Sequence, residues 1–384
     1  MVSSFSFSVP TAVRFGWNVV DDIASALPEG TRRVALLRGS RGVTADRVRA
    51  ALERVNVSRA EVICSGEPSL SSVSAAVDQL VDHGIEGVIA VGGGSVIDAG
   101  KAVAFCLGHG LTLNADFSQL PASRLAHPGP VPCIAVPSTA GTGAEVTANA
   151  VLDIPSQRAK ISLRGRARCP AAAFVDPGLL RSAPASVLLS SGLDAVVQII
   201  EAYTSCAATP FSDMFSAPNI ARGLTALQAV MEGEPADPVW EDLAWVSLSS
   251  GVALANGGLG AAHGIASVLG GRYGAPHGAL CGRLLVPVLR KNTEMAGPGT
   301  LTASRLRDCA VQCAAAFSDT SHKDPFSGLE AWQDRHALPR LREFGIRTED
   351  FPALAEASAA ASSSRKNAVP LTVVDFQDIL QEAF

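Results

Sequence analysis

Hydrophobic and polar positions follow two different patterns along this chain, and the change falls near residue 180. In the first part, short runs rich in Val, Ile and Ala stand between stretches whose apolar residues recur with the helical period. Strands that alternate with helices predict a doubly wound, largely parallel sheet. The predicted buried strands are residues 33–39, 61–66, 87–91, 132–139 and 172–176.

Helical spacing follows two of these strands. Apolar residues over 48–55 predict a helix with Thr44 as its N-cap, because a threonine hydroxyl can accept a free backbone N–H there. A second helix is predicted over 73–81, and we expect it to stop at Gly84, where glycine tolerates the left-handed backbone of a helix end.

Beyond residue 180 the β-branched runs thin out and long stretches rich in Ala, Leu and Ser follow. We therefore predict an α/β domain over residues 1–180 and an all-α domain over 181–384, and the family resemblance described below implies that the first binds a dinucleotide. A chain of 384 residues suits two cores better than one. The predicted helices of the second domain are 186–206, 213–232, 240–256, 301–317 and 328–344.

Composition narrows the possible classes of protein. Hydrophobic residues make up 47% and charged residues 17%, which is typical of a well-buried globular chain. The net charge of −5 and the lack of a basic run argue against nucleic acid as a partner. We expect no membrane span and no signal peptide, because long uninterrupted apolar stretches are missing. Eight scattered cysteines favour a reduced, cytoplasmic location.

Two glycine-rich turns follow predicted strands. Residues 92–94 are three glycines between a strand and a helical pattern, where free N–H groups attract a phosphate. The second turn, residues 137–147, offers the hydroxyls of Ser138, Thr139 and Thr142. One such turn is equally typical of an ordinary loop, but two at the carboxyl ends of strands indicate a nucleotide crevice.

Three charged residues near these turns have two interpretations each. Lys101 and Lys160 could supply positive charge to a phosphate, or they could be solvated lysines. Asp98 could contact a ligand, or it could bond to its own helix or turn.

Four polar residues in the second part are candidates for chemistry: Asp194, Gln198, His263 and His277. Asp194 and Gln198 are four residues apart in a helical run, so their side chains leave the same helix face. One carboxylate and two imidazoles form a plausible three-ligand site for a divalent metal, with an open position for substrate. A single buried histidine is more often a core residue, so the inference depends on the whole set.

Several ordered motifs resemble the iron-containing, or group III, alcohol dehydrogenase family. They are GGGSVIDAGKA, VPSTAGTGAEVT, SGLDAVVQIIEAYTS, GLGAAHGIASVLGGRYGAPHGAL and NAVPLTVVDFQDIL. FSFSVPTAVRFG resembles the family's opening strand pair. The resemblance implies a dinucleotide-binding domain, a helical domain and an active site in the cleft between them. It also implies reversible NAD(P)-dependent hydride transfer between a small alcohol and its aldehyde or ketone, in a homodimer.

The resemblance assigns cofactor contacts to matching positions. It implies that Gly93, Gly94 and Ser95 contact the pyrophosphate and that Thr139 and Thr142 lie along the cofactor, while Lys160 approaches its ribose or nicotinamide side.

Asp194, His263 and His277 match three of the family's four metal ligands, whose metal polarises the substrate oxygen. The fourth is a histidine in the family and is Gln198 here. A further family histidine near the nicotinamide is Ser267 here. The amide carbonyl of Gln198 could bind a metal, although it matches Fe²⁺ or Zn²⁺ less well than imidazole does.

These differences leave three hypotheses open. In the first, the metal is bound as in the related glycerol dehydrogenases, which hold zinc with one acid and two histidines. In the second, Gln198 orients substrate or water in a metal-independent reductase of an oxo-acid resembling maleylacetate reductase, with Arg272 or Arg283 holding the carboxylate. In the third, the chain is a non-catalytic cofactor-binding homologue. Phe211 and Tyr273 could line a partly apolar pocket or pack in the core.

The turn after residues 33–39 bears on the choice of cofactor. NAD-preferring members often carry an aspartate where this chain has Ser40, and that carboxylate would repel a 2′-phosphate. Arg38 and Arg41 flank Ser40 and could bind such a phosphate. The sequence therefore favours NADP over NAD.

Overall fold

The computed structural model describes residues 4–111, 129–154, 159–165, 168–233, 235–318 and 324–384. Its contacts form two compact units, which we call the α/β unit (Val9–Ala183) and the helical unit (Pro184–Phe384 with the described residues before Val9). The sequence assigned those first residues to the N-terminal domain. They group with the helical unit because the Phe7 ring stacks on Phe211, with centroids 4.0 Å apart, and the Ser8 N–H donates to Asn256.

A six-stranded sheet lies at the centre of the α/β unit, and all its neighbouring strands are parallel. The strands are β1 (Ala12–Phe15), β2 (Arg33–Gly39), β3 (Ser58–Cys64), β4 (Gly87–Gly92), β5 (Cys133–Pro137) and β8 (Ala172–Val175). They lie side by side in the order β1-β8-β5-β4-β2-β3. This confirms the predicted sheet. The helices of this unit are α1 (Asp46–Arg54), α2 (Leu70–Leu80) and α3 (Gly94–His109).

Helices cover both faces of the sheet, as a doubly wound fold requires. Val34 and Leu36 of β2 point into a core cluster that includes residues of α1. Ala35 and Leu37 point the other way, into a cluster with residues of α2 and α3. Strand β4 is buried at every position, which explains why it reads as one unbroken apolar run.

Two local features of the α/β unit differ from the sequence prediction. Strands β6 (Asn149–Ile154) and β7 (Ala159–Arg164) form an antiparallel pair. The sequence did not predict these strands, because polar and apolar residues are mixed in both. Thr44 is not an N-cap, because Val43–Ala45 form a 3₁₀ turn and no side chain caps α1. Gly84 ends the turn after α2 at φ 60°, as predicted.

The helical unit contains no strand among its described residues, which confirms the all-α prediction. The predicted helix 213–232 is divided at Pro218, which has no N–H to continue the helix. The predicted helix 328–344 ends at Arg335, shortly before Ala337 adopts a left-handed φ of 53°. The helices are α4 (Ala185–Thr204), α5 (Pro210–Ser216), α6 (Asn219–Glu232), α7 (Asp237–Gly257), α8 (Ala261–Tyr273), α9 (His277–Met295), α10 (Leu301–Ala316), α11 (Ser327–Arg335), α12 (Phe351–Ala360) and α13 (Val373–Ala383).

Helix α4 is a core helix of this unit. By length and composition alone, α4 could cross a membrane, and so could α7 and α8 taken together across a 100° bend. In α4, however, 72% of the most apolar 18-residue stretch is buried inside the protein. Helix α9 approaches it closely at two glycines. A Cβ on Gly278 would lie 2.3 Å from the Ser190 carbonyl oxygen, and one on Gly282 would lie 2.7 Å from Leu193. This close packing brings the start of α9 to the middle of α4.

Candidate functional site

Three polar side chains lie on one buried stripe of α4. Asp194, Gln198 and Glu201 follow one another at helical spacing, and their residues are only 2%, 3% and 4% exposed. Buried polar groups of this kind need partners, because each unpaired group loses its bonds to water. The partners come from three other helices.

The two predicted histidines meet Asp194. His263 lies near the start of α8, and its Nε2 is 3.3 Å from Asp194 Oδ1. His277 is the first residue of α9, and its Nε2 is 3.9 Å from the same oxygen. The tertiary structure thus brings together the acid and the two imidazoles that the sequence singled out.

Cys281 belongs to the same cluster, although it is not among the residues predicted from the sequence. One ligand atom from each of Asp194, His263, His277 and Cys281 lies within 4.8 Å of the other three. Cys281 Sγ is 3.6 Å from His277 Nε2. Its position four residues after His277 was the available signal, because such a pair shares one helix face.

Glu201 is a second residue that sequence reasoning missed. Its carboxylate accepts the N–H groups of Gly260 at 2.9 Å and Ala262 at 2.7 Å, and so it caps the start of α8. It also lies 2.7 Å from His263 Nδ1. A carboxylate there favours the proton on Nδ1, which leaves Nε2 to face Asp194. Its spacing from Asp194, seven residues along α4, was the sequence signal.

Gln198 does not offer its carbonyl oxygen to the cluster. Its side-chain N–H₂ donates to Asp194 Oδ2 at 3.1 Å, and its Oε1 accepts the Ser250 hydroxyl at 2.6 Å. A carboxylate beside the amide requires the donor end, which explains this orientation. The predicted metal-ligand role of Gln198 does not fit this arrangement, and the amide instead holds Asp194 in place.

The cluster fits a divalent cation. Asp194 Oδ1 and His263 Nε2 are both buried and have no hydrogen-bond partner among the described residues. Leaving a buried polar atom unpaired costs about 1–3 kcal/mol, and a cation between them would remove that cost. The donor set of carboxylate, imidazole and thiol is typical of transition metals or zinc.

The pKa shifts of the residues in this cluster indicate negatively charged surroundings, as a cation site requires. Burial by itself would raise the pKa of Asp194, but His263 and His277 lower it below its usual range. Burial opposes a charged His263, yet Cys281, Asp194 and Glu201 raise the pKa of its imidazole well above the ordinary value. Burial raises the pKa of the Cys281 thiol to about 12. A field that favours a proton on His263 Nε2 also favours a metal cation, which would take the place of that proton between Nε2 and Asp194 Oδ1.

The two glycine-rich turns of the α/β unit also come together. Gly93 precedes α3 and no side chain caps the helix. A Cβ on Gly93 would lie 3.2 Å from the Thr139 hydroxyl, and one on Gly94 would lie 2.5 Å from the Thr142 hydroxyl. The Ser138 N–H donates to the Gly92 carbonyl at 2.9 Å and fastens one turn to the other. Free N–H groups beside hydroxyls at a helix N-terminus suit a phosphate, and Ser95 follows in the first helical turn.

Two charged residues expected near the phosphate hold secondary structure together instead. Lys101 is 1% exposed and donates to Asp98 at 3.0 Å, Thr147 at 3.2 Å and the Asn149 carbonyl at 2.8 Å. It is therefore neither solvated nor free to bind a phosphate. The other oxygen of Asp98 accepts the Val151 N–H at 2.9 Å, so Asp98 links α3 to β6.

The other residues predicted to contact the cofactor differ in exposure and in whether an acidic residue already pairs with them. Lys160 forms an ion pair with Glu67, so its charge is already balanced. Arg38 binds Glu61 at 3.0 Å. Ser40 and Arg41 are exposed just beyond β2.

A buried acid stands in the second turn, where the sequence analysis gave it no role. Glu145 is 2% exposed, and its burial raises the pKa of the carboxyl to about 7. A carboxyl with this pKa is partly protonated near neutral pH, unlike an exposed glutamate.

The aromatic residues considered for a pocket have packing partners. Phe211 stacks on Phe7, as described above. The Tyr273 hydroxyl donates to Asp350 at 3.0 Å. Ordinary packing therefore accounts for both.

The candidates for binding a substrate carboxylate, and Ser267, are also accounted for. Arg283 is 2% exposed, lies 2.8 Å from Asp334 and donates to the Pro339 carbonyl, so it is not free for an oxo-acid. Arg272 is exposed. The Ser267 hydroxyl donates to the Gly264 carbonyl of its own helix at 2.8 Å.

The fold and these two clusters define a class. A parallel α/β unit with an uncapped, glycine-lined helix N-terminus is typical of nucleotide binding. A helical unit with a buried carboxylate, two imidazoles and a thiol is typical of metal binding. Together they are the parts of a nucleotide-dependent metalloenzyme.

Comparison with known proteins identifies the family. Residues 10–177 match the iron-containing alcohol dehydrogenase family, and residues 188–384 match the C-terminal region of the Fe-containing alcohol dehydrogenase family. The chain is 28% identical to alcohol dehydrogenase 4 of Saccharomyces cerevisiae, with all of both chains covered. It is 28% identical to lactaldehyde reductase of Escherichia coli, over 83% of this chain and 82% of the relative. A crystal structure of 1,3-propanediol oxidoreductase superposes with a TM-score of 0.83 at 25% identity, covering all of both chains.

The chain therefore belongs to the iron-containing alcohol dehydrogenase family. It is an oxidoreductase that interconverts alcohols with aldehydes or ketones, and the family implies a nicotinamide cofactor and a metal.

Proposed function

We propose that Asp194, His263 and His277 hold a divalent metal that binds the oxygen of a small alcohol, aldehyde or ketone. The observation that carries this proposal is the pair of buried, unpartnered atoms, Asp194 Oδ1 and His263 Nε2. When bound, the nicotinamide would supply or accept a hydride at the substrate carbon, and the metal held by these residues would stabilise charge on the substrate oxygen.

The protein's own side chains prepare this site. Gln198 donates to the second oxygen of Asp194, which leaves Oδ1 directed at the two histidines. Glu201 fixes the ring of His263 through Nδ1. Ligands held in this way lose little conformational freedom when a metal binds, and so their affinity for it is higher.

In the α/β unit, we propose that Gly93, Gly94 and Ser95 bind the pyrophosphate through backbone N–H groups, and that Ser138, Thr139 and Thr142 lie beside it. The support is the uncapped start of α3 and the close approach of both threonines to the glycines. Glycine is required at 94, because any Cβ would collide with Thr142.

Removing the metal should abolish turnover. After treatment with EDTA, we expect both the metal content and the rate of aldehyde reduction to fall to background, and both to return when Zn²⁺ or Fe²⁺ is added. EDTA saturated beforehand with Zn²⁺ is the control and should leave the rate unchanged, because it has no free capacity to remove the protein's metal. Full activity in a metal-depleted sample would instead support the metal-independent oxo-acid reductase. The pairing of Arg283 with Asp334 already disfavours that alternative.

A non-catalytic homologue makes a different prediction. It would bind NAD(P) in a calorimeter but give no change in nicotinamide absorbance with any aldehyde in a panel of short-chain substrates. Turnover of one such aldehyde is sufficient to exclude it.

We also propose a preference for NADPH over NADH. Positions 40 and 41 carry no acidic residue, and the exposed Arg41 is available to bind a 2′-phosphate, whereas Arg38 is paired with Glu61. Replacing Arg41 by Ala should lower kcat/KM for NADPH by roughly 10–100-fold, since hydrogen bonds to charged groups contribute about 1.5–3 kcal/mol. The value for NADH should stay the same. The exposed Arg307→Ala is the matched control. A higher kcat/KM for NADH in the unchanged enzyme would contradict the preference.

A cytoplasmic location and a homodimer complete the proposal. All eight cysteines are free, which suits a reducing compartment. The dimer rests on the family resemblance, and sedimentation velocity would test it.

A further inference from the structure

We infer that Cys281 supplies a fourth protein ligand, so that Asp194, His263, His277 and Cys281 bind one Zn²⁺ ion, to which the substrate oxygen would add as a fifth ligand. In this arrangement a thiolate takes the place of the imidazole that is absent at position 198. The inference rests on the proposed function of the cluster and goes beyond it by naming the fourth ligand and the metal.

The separations between the ligand atoms agree with this set. Zn–N, Zn–O and Zn–S bonds of about 2.1, 2.0 and 2.3 Å at tetrahedral angles place a nitrogen about 3.6 Å from a sulfur and about 3.3–3.4 Å from an oxygen. Cys281 Sγ is 3.6 Å from His277 Nε2, and His263 Nε2 is 3.3 Å from Asp194 Oδ1. The spacing of His277 from Asp194 is wider, at 3.9 Å, and all four atoms lie within 4.8 Å of one another.

Packing directs Cys281 to this point. His277 and Cys281 share one face of α9, and Cys281 is completely buried. The glycines on either side of Cys281 in α9, Gly278 and Gly282, permit the close contact with α4 that brings this face to Asp194. A larger residue at 278 would meet the Ser190 carbonyl, so the helix could not approach as it does.

Among the described residues, the two other polar side chains beside Asp194 and His263 already have partners. Gln198 gives its amide protons to Asp194 and its oxygen to Ser250. Glu201 is occupied by two backbone N–H groups and by His263 Nδ1. The unpartnered atoms Asp194 Oδ1 and His263 Nε2 remain, with the Cys281 sulfur beside them.

The chemistry of the donor set selects the metal. A thiolate is a softer ligand than the family's imidazole at position 198 or the amide of Gln198. Soft ligands favour Zn²⁺ over Fe²⁺ in a tetrahedral N, O and S site. When the ion binds, the Cys281 S–H bond breaks, its proton goes to the buffer and a Zn–S bond forms without any change of oxidation state.

X-ray absorption at the zinc edge tests the inference on the full-length protein. We expect one sulfur neighbour at about 2.3 Å per zinc in the unchanged protein and none in Cys281→Ser. The Cys309→Ser variant removes another buried cysteine, on α10, and should keep the sulfur neighbour. Cobalt substitution adds a second readout, because a thiolate–Co²⁺ charge-transfer band in the near ultraviolet should be present in the unchanged protein and absent in Cys281→Ser.

The outcomes separate this inference from the proposed function. Zinc bound by nitrogen and oxygen alone in the unchanged protein overturns the role of Cys281 and leaves the metal-assisted mechanism standing. Turnover without any bound metal overturns both. If Cys281→Ser fails to fold, the sulfur neighbour and the cobalt band of the unchanged protein still decide the question. A folded Cys281→Ser should also bind zinc more than about 100-fold more weakly, beyond the usual effect of losing an outer partner.

Discussion

Replacing His263 by alanine should lower metal affinity by more than about 100-fold and kcat/KM by about 10³-fold or more. The change removes an imidazole whose Nε2 lies 3.3 Å from Asp194 and leaves the buried Asp194 oxygen with no cationic or donor neighbour on that side. Loss of a metal that stabilises charge on the substrate oxygen is expected to raise the barrier by roughly 4 kcal/mol, which corresponds to that factor in rate. Metal content by plasma mass spectrometry and initial rates of aldehyde reduction measure the two effects.

The control for this experiment is His83→Ala, because His83 is exposed in the α/β unit and belongs to neither cluster. It should retain both metal and activity. A His263→Ala variant that lost its metal but kept its turnover would show that the metal does not act on the substrate. A variant that kept its metal at full stoichiometry would show that His263 is not a ligand.

The second large effect is expected for Glu201→Gln. The glutamine has the same size, but it has only one acceptor oxygen for the three donors that Glu201 serves. Because hydrogen bonds to a charged group contribute about 1.5–3 kcal/mol each, we expect a loss of about 3–5 kcal/mol of unfolding free energy. We also expect zinc affinity to fall by about 10–100-fold, since His263 loses the partner that orients it.

Two measurements distinguish positioning from a merely structural role. Zinc affinity is determined far below the melting temperature, where the variant is folded, and ¹⁵N NMR of the His263 ring reports which nitrogen carries the proton. The exposed Glu356→Gln on α12 is the matched control. Unchanged zinc affinity and an unchanged tautomer in folded Glu201→Gln would limit Glu201 to capping α8.

Much of the fold could be predicted from the sequence because the sheet is buried on both faces. Strand β2 was predicted with its observed bounds, since a strand covered by helices on both sides needs an unbroken apolar run. The pair β6 and β7 was missed because polar and apolar residues are mixed in both strands, and in β6 only Ala150 and Leu152 are fully buried. Some helix ends were predicted wrongly because they depend on backbone conformation, as at Ala337, whose left-handed φ follows the end of α11.

The candidate site, like the fold, could be predicted from the sequence only in part. Asp194, His263 and His277 could be named from their motifs, and the structure brings them together. Lys101 was interpreted as a solvated or phosphate-binding lysine, yet it is buried with three partners. Residue type indicates which chemistry a side chain can perform, but its partners come from elements far away in the chain.

By itself, the sequence determined the sheet, the helical second unit and the identity of an acid and two imidazoles able to bind a metal. Only the tertiary structure decided that Gln198 supports Asp194, that Glu201 contacts His263 and that Cys281 lies beside the candidate ligands. The reason is physical. Hydrophobic periodicity is a local property of the sequence. The distance between α4 and α9 instead depends on the small side-chain volume at Gly278 and Gly282, where two helices distant in the chain pack together.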